Sequence, residues 1–214
     1  MEVMQNDLIK AAQVVEHCQR NWDLSKEVPQ EHIDTLIKVA TTMPTKQNRN
    51  FYKLLVSTDP DFNKQCFGLA YSDTSTTGNR TSNRNNQINA NVLFIYIENH
   101  SYTQSDGQEF DDASRANSKL DTAMAVGISS GALTLSAASL GYKTGYCACF
   151  VDDELHKLIN SKQGCMQGEE LPLLLIGVGH PNSEYAWNEV IDSDGNKIRS
   201  PAKTFTKSVD VFYV

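Results

Sequence analysis

The residues with chemistry to offer fall into separate short stretches. Near the start, His17-Cys18-Gln19-Arg20-Asn21-Trp22 places an imidazole, a thiol and a guanidinium close together. Met43-Pro44-Thr45-Lys46-Gln47-Asn48-Arg49-Asn50 is a turn dense in hydroxyl and amide donors beside cations. That set suits an oxygen-rich heterocycle or a phosphate, although a lone turn of this kind is ordinarily just a polar connection. Asn83, Asn86 and Gln87 bring amides to the approach of an apolar run. In Lys197-Ile198-Arg199 two cations lie two apart, so in an extended segment both can face one phosphate; as a bare pair they would be a solvated surface feature.

Other chemistries find less support. Cys147 and Cys149 would share one face of a strand, but Cys18, Cys66 and Cys165 do not complete a zinc set with them, and no metal site is expected. The five histidines are scattered, and there is neither a Ser, His and Asp order nor a glycine-rich phosphate loop. With 19 basic against 26 acidic residues the formal net charge is −7, which argues against nucleic acid as a partner and for a small molecule or another protein. Met1 to Asp7 is polar and lacks the layout of a signal peptide. The expectation is a cytoplasmic protein with reduced cysteines and unused glycosylation patterns at Asn79 and Asn99.

These residues need elements to position them, and the stretch that organises the chain is Asp121 to Phe150. No charged side chain lies between Asp121 and Lys143, so the helix it predicts is apolar all round and must be buried, with Gly127 and Gly131 allowing close packing. It is long enough to span a membrane, but its many Ser, Thr and Gly residues and its flanks, Lys119 and Lys143, argue against that. Gly141 is placed for a left-handed cap, and Thr144 to Phe150 then reads as a strand.

Upstream, Leu8, Ile9, Ala12, Val15 and Cys18 predict a first helix with one apolar face, ending near Arg20. Pro29 opens a second, with Ile33, Leu36, Ile37 and Ala40 on its buried side, to about Met43. Phe51 to Val56 is strand-like, Asp59 and Pro60 start a helix to Ala70, and Val92 to Ile97 has the length of a core strand. The polar segment Glu98 to Ala116 carries no core pattern and reads as a lid or arm. Asp152 caps a short helix through Ile159, Leu171 to Val178 is another strand, and Gly179 to Val214 is mostly irregular but for a possible strand at Val209 to Val214. One domain over residues 1–214, a sheet covered by helices, follows from this order.

The four stretches together resemble the FMN-dependent nitroreductase family. His17 to Trp22 is similar to the family's Arg-Ser-x-Arg-x-aromatic phosphate segment, with Arg20 and Trp22 matching, His17 a further donor, and Cys18 in place of the hydroxyl. Met43 to Tyr52 resembles its Ala-Pro-Ser-x-x-Asn-x-Gln-Pro-Trp turn, which carries over Pro44, Thr45, Lys46 and Asn48. Asn83, Asn86 and Gln87 stand where the family contacts the flavin ring, and Lys197 and Arg199 where a basic pair completes the phosphate site. By position, Ala148 and Cys149 would offer backbone amides to the reactive flavin nitrogen. The resemblance implies an α+β fold, a central mixed or antiparallel sheet covered by helices, in an intertwined homodimer with the long central helices at its core and the Pro44 turn contributed across the interface. It also implies FMN as cofactor, NADH or NADPH as donor, and a nitroaromatic or quinone acceptor served by ping-pong exchange. The same resemblance admits a flavin-binding relative without reductase activity, or one that fragments or dehydrogenates a special substrate.

Overall fold

The computed structural model describes residues 2–70, 84–100, 112–164, 166, 170–186, 189–191, 197–199 and 210–212. Its elements are α1 (Glu2–Val14), α2 (Gln30–Thr42), β1 (Tyr52–Ser57), α3 (Pro60–Leu69), β2 (Val92–Glu98), α4 (Asp112–Ser139), β3 (Lys143–Cys147), α5 (Asp152–Gln163), β4 (Pro172–Gly179), β5 (Glu189–Ile191) and β6 (Lys197–Arg199). Four strands form one antiparallel sheet in the order β1-β2-β4-β3, and β5 and β6 pair as a separate antiparallel hairpin.

The sheet is covered on both faces, and β2 shows how. Val92, Phe94 and Tyr96 meet Ile33, Leu36 and Ala40 of α2 and Val126, Leu133 and Ala137 of α4. The alternate residues Leu93, Ile95 and Ile97 meet Phe62 and Cys66 of α3 and Leu155 and Ile159 of α5. Period-two alternation thus sends a continuous apolar run into two cores, each fully buried side chain contributing about 1.5–3 kcal/mol. Polar contacts lock one layer: the Tyr52 hydroxyl and the Ser129 hydroxyl both donate to Ala40 O, at 2.6 and 2.8 Å, and Tyr96 OH lies 2.8 Å from Ser129 Oγ.

Local signals worked where they were specific. Asp59 accepts from the N–H groups of Asp61 and Phe62 ahead of Pro60, and Gly141 has φ 87, the left-handed conformation that favours glycine after a helix. Other expectations are corrected. The first helix stops at Val14, and Leu8 and Ile9 face outward; Ala11 is its buried residue. The long helix begins at Asp112, inside the segment expected to form a lid or arm, because a helix already nucleated can run on through residues that carry no core pattern. Val151, not Asp152, holds the cap position of α5. Glu189–Ile191 and Lys197–Arg199 form a hairpin in the part expected to be irregular, and residues 210–212 are not in a strand. Residues 101–111, the centre of the expected lid, lie outside the described residues.

The central helix is the largest departure. Residues Ser118–Ser139 are long and apolar enough to cross a membrane by length and composition alone. Yet Ser129, Ser130 and Thr134 turn inward and donate to backbone carbonyls, while Leu120, Met124 and Ile128 are 48 to 60 % exposed. A helix apolar all round is therefore covered by its own chain on one side only, and Cβ atoms at Gly127 and Gly131 would meet nothing within 4 Å.

One close approach governs the β3 end of the sheet. Gly145 and Gly177 are cross-strand partners, and the backbone of Gln87 rests on both. A Cβ at Gly145 would strike Gln87 O and lie 2.9 Å from Gln19 O; one at Gly177 would lie 2.5 Å from Gln87 O. Gly145→Ala is expected to lower the denaturant unfolding free energy by about 1–3 kcal/mol, as overpacking does. Gly68→Ala, where an added Cβ meets nothing within 4 Å, should leave it unchanged or slightly raised.

Candidate functional site

After α1 the chain runs along the open side of β3. The N–H of Gln19 donates to Thr144 O at 2.8 Å, and that of Asp23 to His180 O at 2.9 Å, while Trp22 bridges to Pro181. Asn21 Nδ2 donates to Ala186 O at 2.6 Å, three residues before β5, and Trp22 Nε1 donates to Asn86 O at 2.8 Å. An edge strand whose carbonyls would otherwise invite another chain is thereby closed. The same bonds carry Arg20 to the middle of that edge.

Arg20 is held from two directions. Its Nη1 donates to Cys18 O at 3.0 Å, and its Nη2 donates to the Gln87 side-chain oxygen when that amide is oriented so that its nitrogen meets Tyr146 O. Burial lowers the guanidinium's pKa from its usual value, partly offset by the nearby Cys18 thiol, but an arginine stays charged at neutral pH. Gln87, which sequence reasoning placed among ring contacts, thus joins Arg20 to β3. Only the glycines at 145 and 177 hinted at this, by marking where a backbone would come close.

Beyond β3 the chain continues through Ala148, which is exposed, and Cys149, which is half-buried. Among the described residues their N–H groups have no backbone hydrogen-bond partner. Thr144 O and Tyr146 O both leave the open side of β3 toward Gln19 and Gln87, and the alternation of an extended chain carries Ala148 to that same side. A cation and the Ala148 backbone therefore lie along one edge.

The Pro44 turn is elsewhere. Lys46 Nζ pairs with Asp121 Oδ2 at 2.7 Å, near the N-terminal part of α4, whereas Tyr146 reaches α4 at Ser130 and Thr134. From Asp121 to Ser130 is nine residues, about 14 Å of helix at 1.5 Å per residue. One copy of the chain does not bring the turn to Arg20. Within the turn, Thr45 Oγ1 donates to Arg49 O at 2.7 Å, and Lys46, Gln47 and Asn48 are exposed. His17 is exposed beside Glu16, and Asn86 is half-buried next to Gln87. Asn83 lies outside the described residues, as do the side chains of Lys197 and Arg199, whose backbone forms β6.

No family model and no curated protein matches the sequence. Solved structures do match. NfrA2 from B. megaterium superposes with a TM-score of 0.66 at 21 % identity, over 86 % of this chain and 70 % of its own. Nitroreductase A from Vibrio parahaemolyticus gives 0.65 at 13 % identity, over 95 % and 78 %. An FMN-dependent nitroreductase from Clostridium difficile gives 0.57 at 14 % identity, over 83 % and 89 %. At such identities the likeness establishes the fold, an α+β nitroreductase fold, as the resemblance implied.

The thiols divide by burial. Cys66 and Cys147 are buried among the residues between the sheet and α3 and α5, and burial pushes their thiols up to about 12 and about 11. The Cys147 thiol also donates to Cys149 O at 3.3 Å; hydrogen bonds from the Cys149 backbone and the Asn85 side chain to the sulfur partly oppose that rise. Since the thiolate is the nucleophile, both should stay protonated and inert at pH 8, whereas half-buried Cys18 and Cys149 are open to reagent. Alkylation at pH 8 followed by peptide mass mapping is expected to modify Cys18 and Cys149, and to reach Cys66 and Cys147 only after unfolding. Above pH 9 the unfolded chain ionises these two thiols first, so the folding stability held by their protonated form should fall as pH rises from 9 toward 12.

Proposed function

We propose that this chain, which has the nitroreductase fold, is an FMN-dependent oxidoreductase that works as a homodimer in the cytoplasm. In this reading it passes two electrons from NADH or NADPH to a nitroaromatic, quinone or similar flat acceptor. The observation that carries the proposal is the placement of Arg20, anchored to Cys18 O and Gln87, along the β3 edge that Ala148 continues, in a fold shared with a protein named as an FMN-dependent nitroreductase.

The donor set suits such a group. A guanidinium fixed by Cys18 O and Gln87 is pre-oriented for phosphate, and Lys197 and Arg199 would join it, with His17 at the rim and Cys18 beside it. Backbone amides at Ala148 and Cys149 would donate to the ring, a task independent of their side chains. Asn83 and Asn86 would add ring and ribityl contacts. The turn of Pro44, Thr45, Lys46 and Asn48, which one copy holds away from Arg20, would come from the partner copy. The exposed stripe of Leu120, Met124 and Ile128 beside Gly127 supports a two-fold contact between α4 helices. Bound there, FMN supplies the two-electron chemistry, and the protein's share is binding, orientation and exclusion of water.

Purified protein reconstituted with FMN is expected to be yellow, to sediment as a dimer at low micromolar concentration, and to bleach on anaerobic addition of NADH or NADPH. Parallel double-reciprocal lines should appear when a quinone is varied at several nicotinamide concentrations. Arg20→Ala removes a charge-assisted contact of about 1.5–3 kcal/mol, so FMN affinity should drop roughly ten-fold to a hundred-fold while riboflavin, lacking phosphate, hardly responds. Colourless protein that ignores added FMN would sink this reading; yellow protein that neither nicotinamide bleaches would be a flavin-binding module instead.

A further inference from the structure

The exposed turn after α2 is tied to α4 through the ion pair Lys46 Nζ to Asp121 Oδ2, 2.7 Å long, in which the carboxylate side chain is 12 % exposed and the lysine 54 %. Its backbone is unusual: Gln47 and Asn48 are consecutive non-glycine residues at φ 54 and φ 55. Left-handed conformations of this kind are costly for residues other than glycine and persist where the surroundings over-determine them. The turn's own bonds, Asn48 N–H to Thr45 O at 3.0 Å, Arg49 N–H to Lys46 O at 3.2 Å and the Thr45 hydroxyl to Arg49 O, close it internally. They do not fix its direction relative to the helices.

We infer that Asp121 is a positioning residue for this turn: through Lys46 it sets the direction in which Gln47 and Asn48 project, and Lys46 is a strut whose charge is spent on Asp121 and not on the ligand. The inference rests on the reading of the turn as part of a flavin site. The electrostatics favour a strut, because a carboxylate 2.7 Å from the ammonium offsets its attraction for an anion and would itself repel a phosphate. Placement favours it as well. Asp121 sits in a regular helix, largely covered, so the covered end of the pair is on α4 and the exposed end on the turn.

The test measures FMN affinity by fluorescence titration and the thermal midpoint of the flavin-free protein. It compares wild type, Lys46→Ala, Asp121→Ala, Asp121→Asn and the charge-exchanged double variant Lys46→Glu with Asp121→Lys. Both alanine variants should bind FMN about three-fold to ten-fold more weakly, with little change in the flavin-free midpoint, since the lysine end of the pair is half exposed and solvent screens the interaction. The exchanged pair should recover affinity to within about two-fold, because a strut works with either polarity. Unchanged affinity in Asp121→Ala would overturn the inference, as would an exchanged pair no better than the single variants, which would place Lys46 against the ligand. Should Asp121→Ala fail to fold, Asp121→Asn, which keeps the shape without the charge, decides by the same affinity criterion. Wild type that binds no FMN would instead defeat the functional reading, and this inference with it.

Discussion

The structure depends most on a stretch of sheet that carries no side chains. Gly145 and Gly177 face each other across β3 and β4, and Gly179 lies two residues further on the same side of β4. Over this bare track runs the chain from Asn85 to Asn91, closer than any Cβ would permit. The Asn91 side chain then accepts from His180 N–H and donates to the carbonyls of Asp23 and Lys26. Sheet, overlying segment and the 19–26 stretch are thereby stacked by backbone and amide bonds. Close backbone contact of this kind leaves little freedom, which is why the side chains it carries, Gln87 and through it Arg20, are held in place.

That stacking explains what could be read from the sequence and what could not. The β2 run, the α2 face and the Asp59 cap were legible because each signal is local: a period, a length, a side chain that reaches its own helix end. Leu8 and Ile9 misled for the converse reason. Apolar periodicity reports that a face is apolar, not that the same chain covers it, and the central helix repeats the lesson at Leu120, Met124 and Ile128. The first turns of α4 were missed because polar residues there bury no visible pattern.

For the candidate site, residue types were legible and partnerships were not. Arg20 stands out as a cation in a short motif, yet its contact with Gln87 exists only because glycines on two strands, far apart in sequence, admit the intervening backbone. Lys46 likewise stands out, but 75 residues separate it from Asp121, and no spacing rule relates a turn to a helix at that distance. Cations are conspicuous in a sequence; the carbonyls and carboxylates that already occupy them are a property of the fold.

The separation of Arg20 from the Pro44 turn along α4 has a thermodynamic consequence for the proposed function. If one ligand touches both, it touches two copies of the chain, and its binding energy contributes to their association. Linkage then requires the reverse, that association raises ligand affinity by the same factor. The exposed leucine, methionine and isoleucine of α4 lie on the helix that also carries Asp121, so the surface available for association and the anchor of the turn move as one rigid element. A shift of α4 against its twin would displace the turn relative to the neighbouring Arg20 without disturbing either copy's core. In such an arrangement the strained backbone at Gln47 and Asn48 is not a defect of one chain but a shape made for the other.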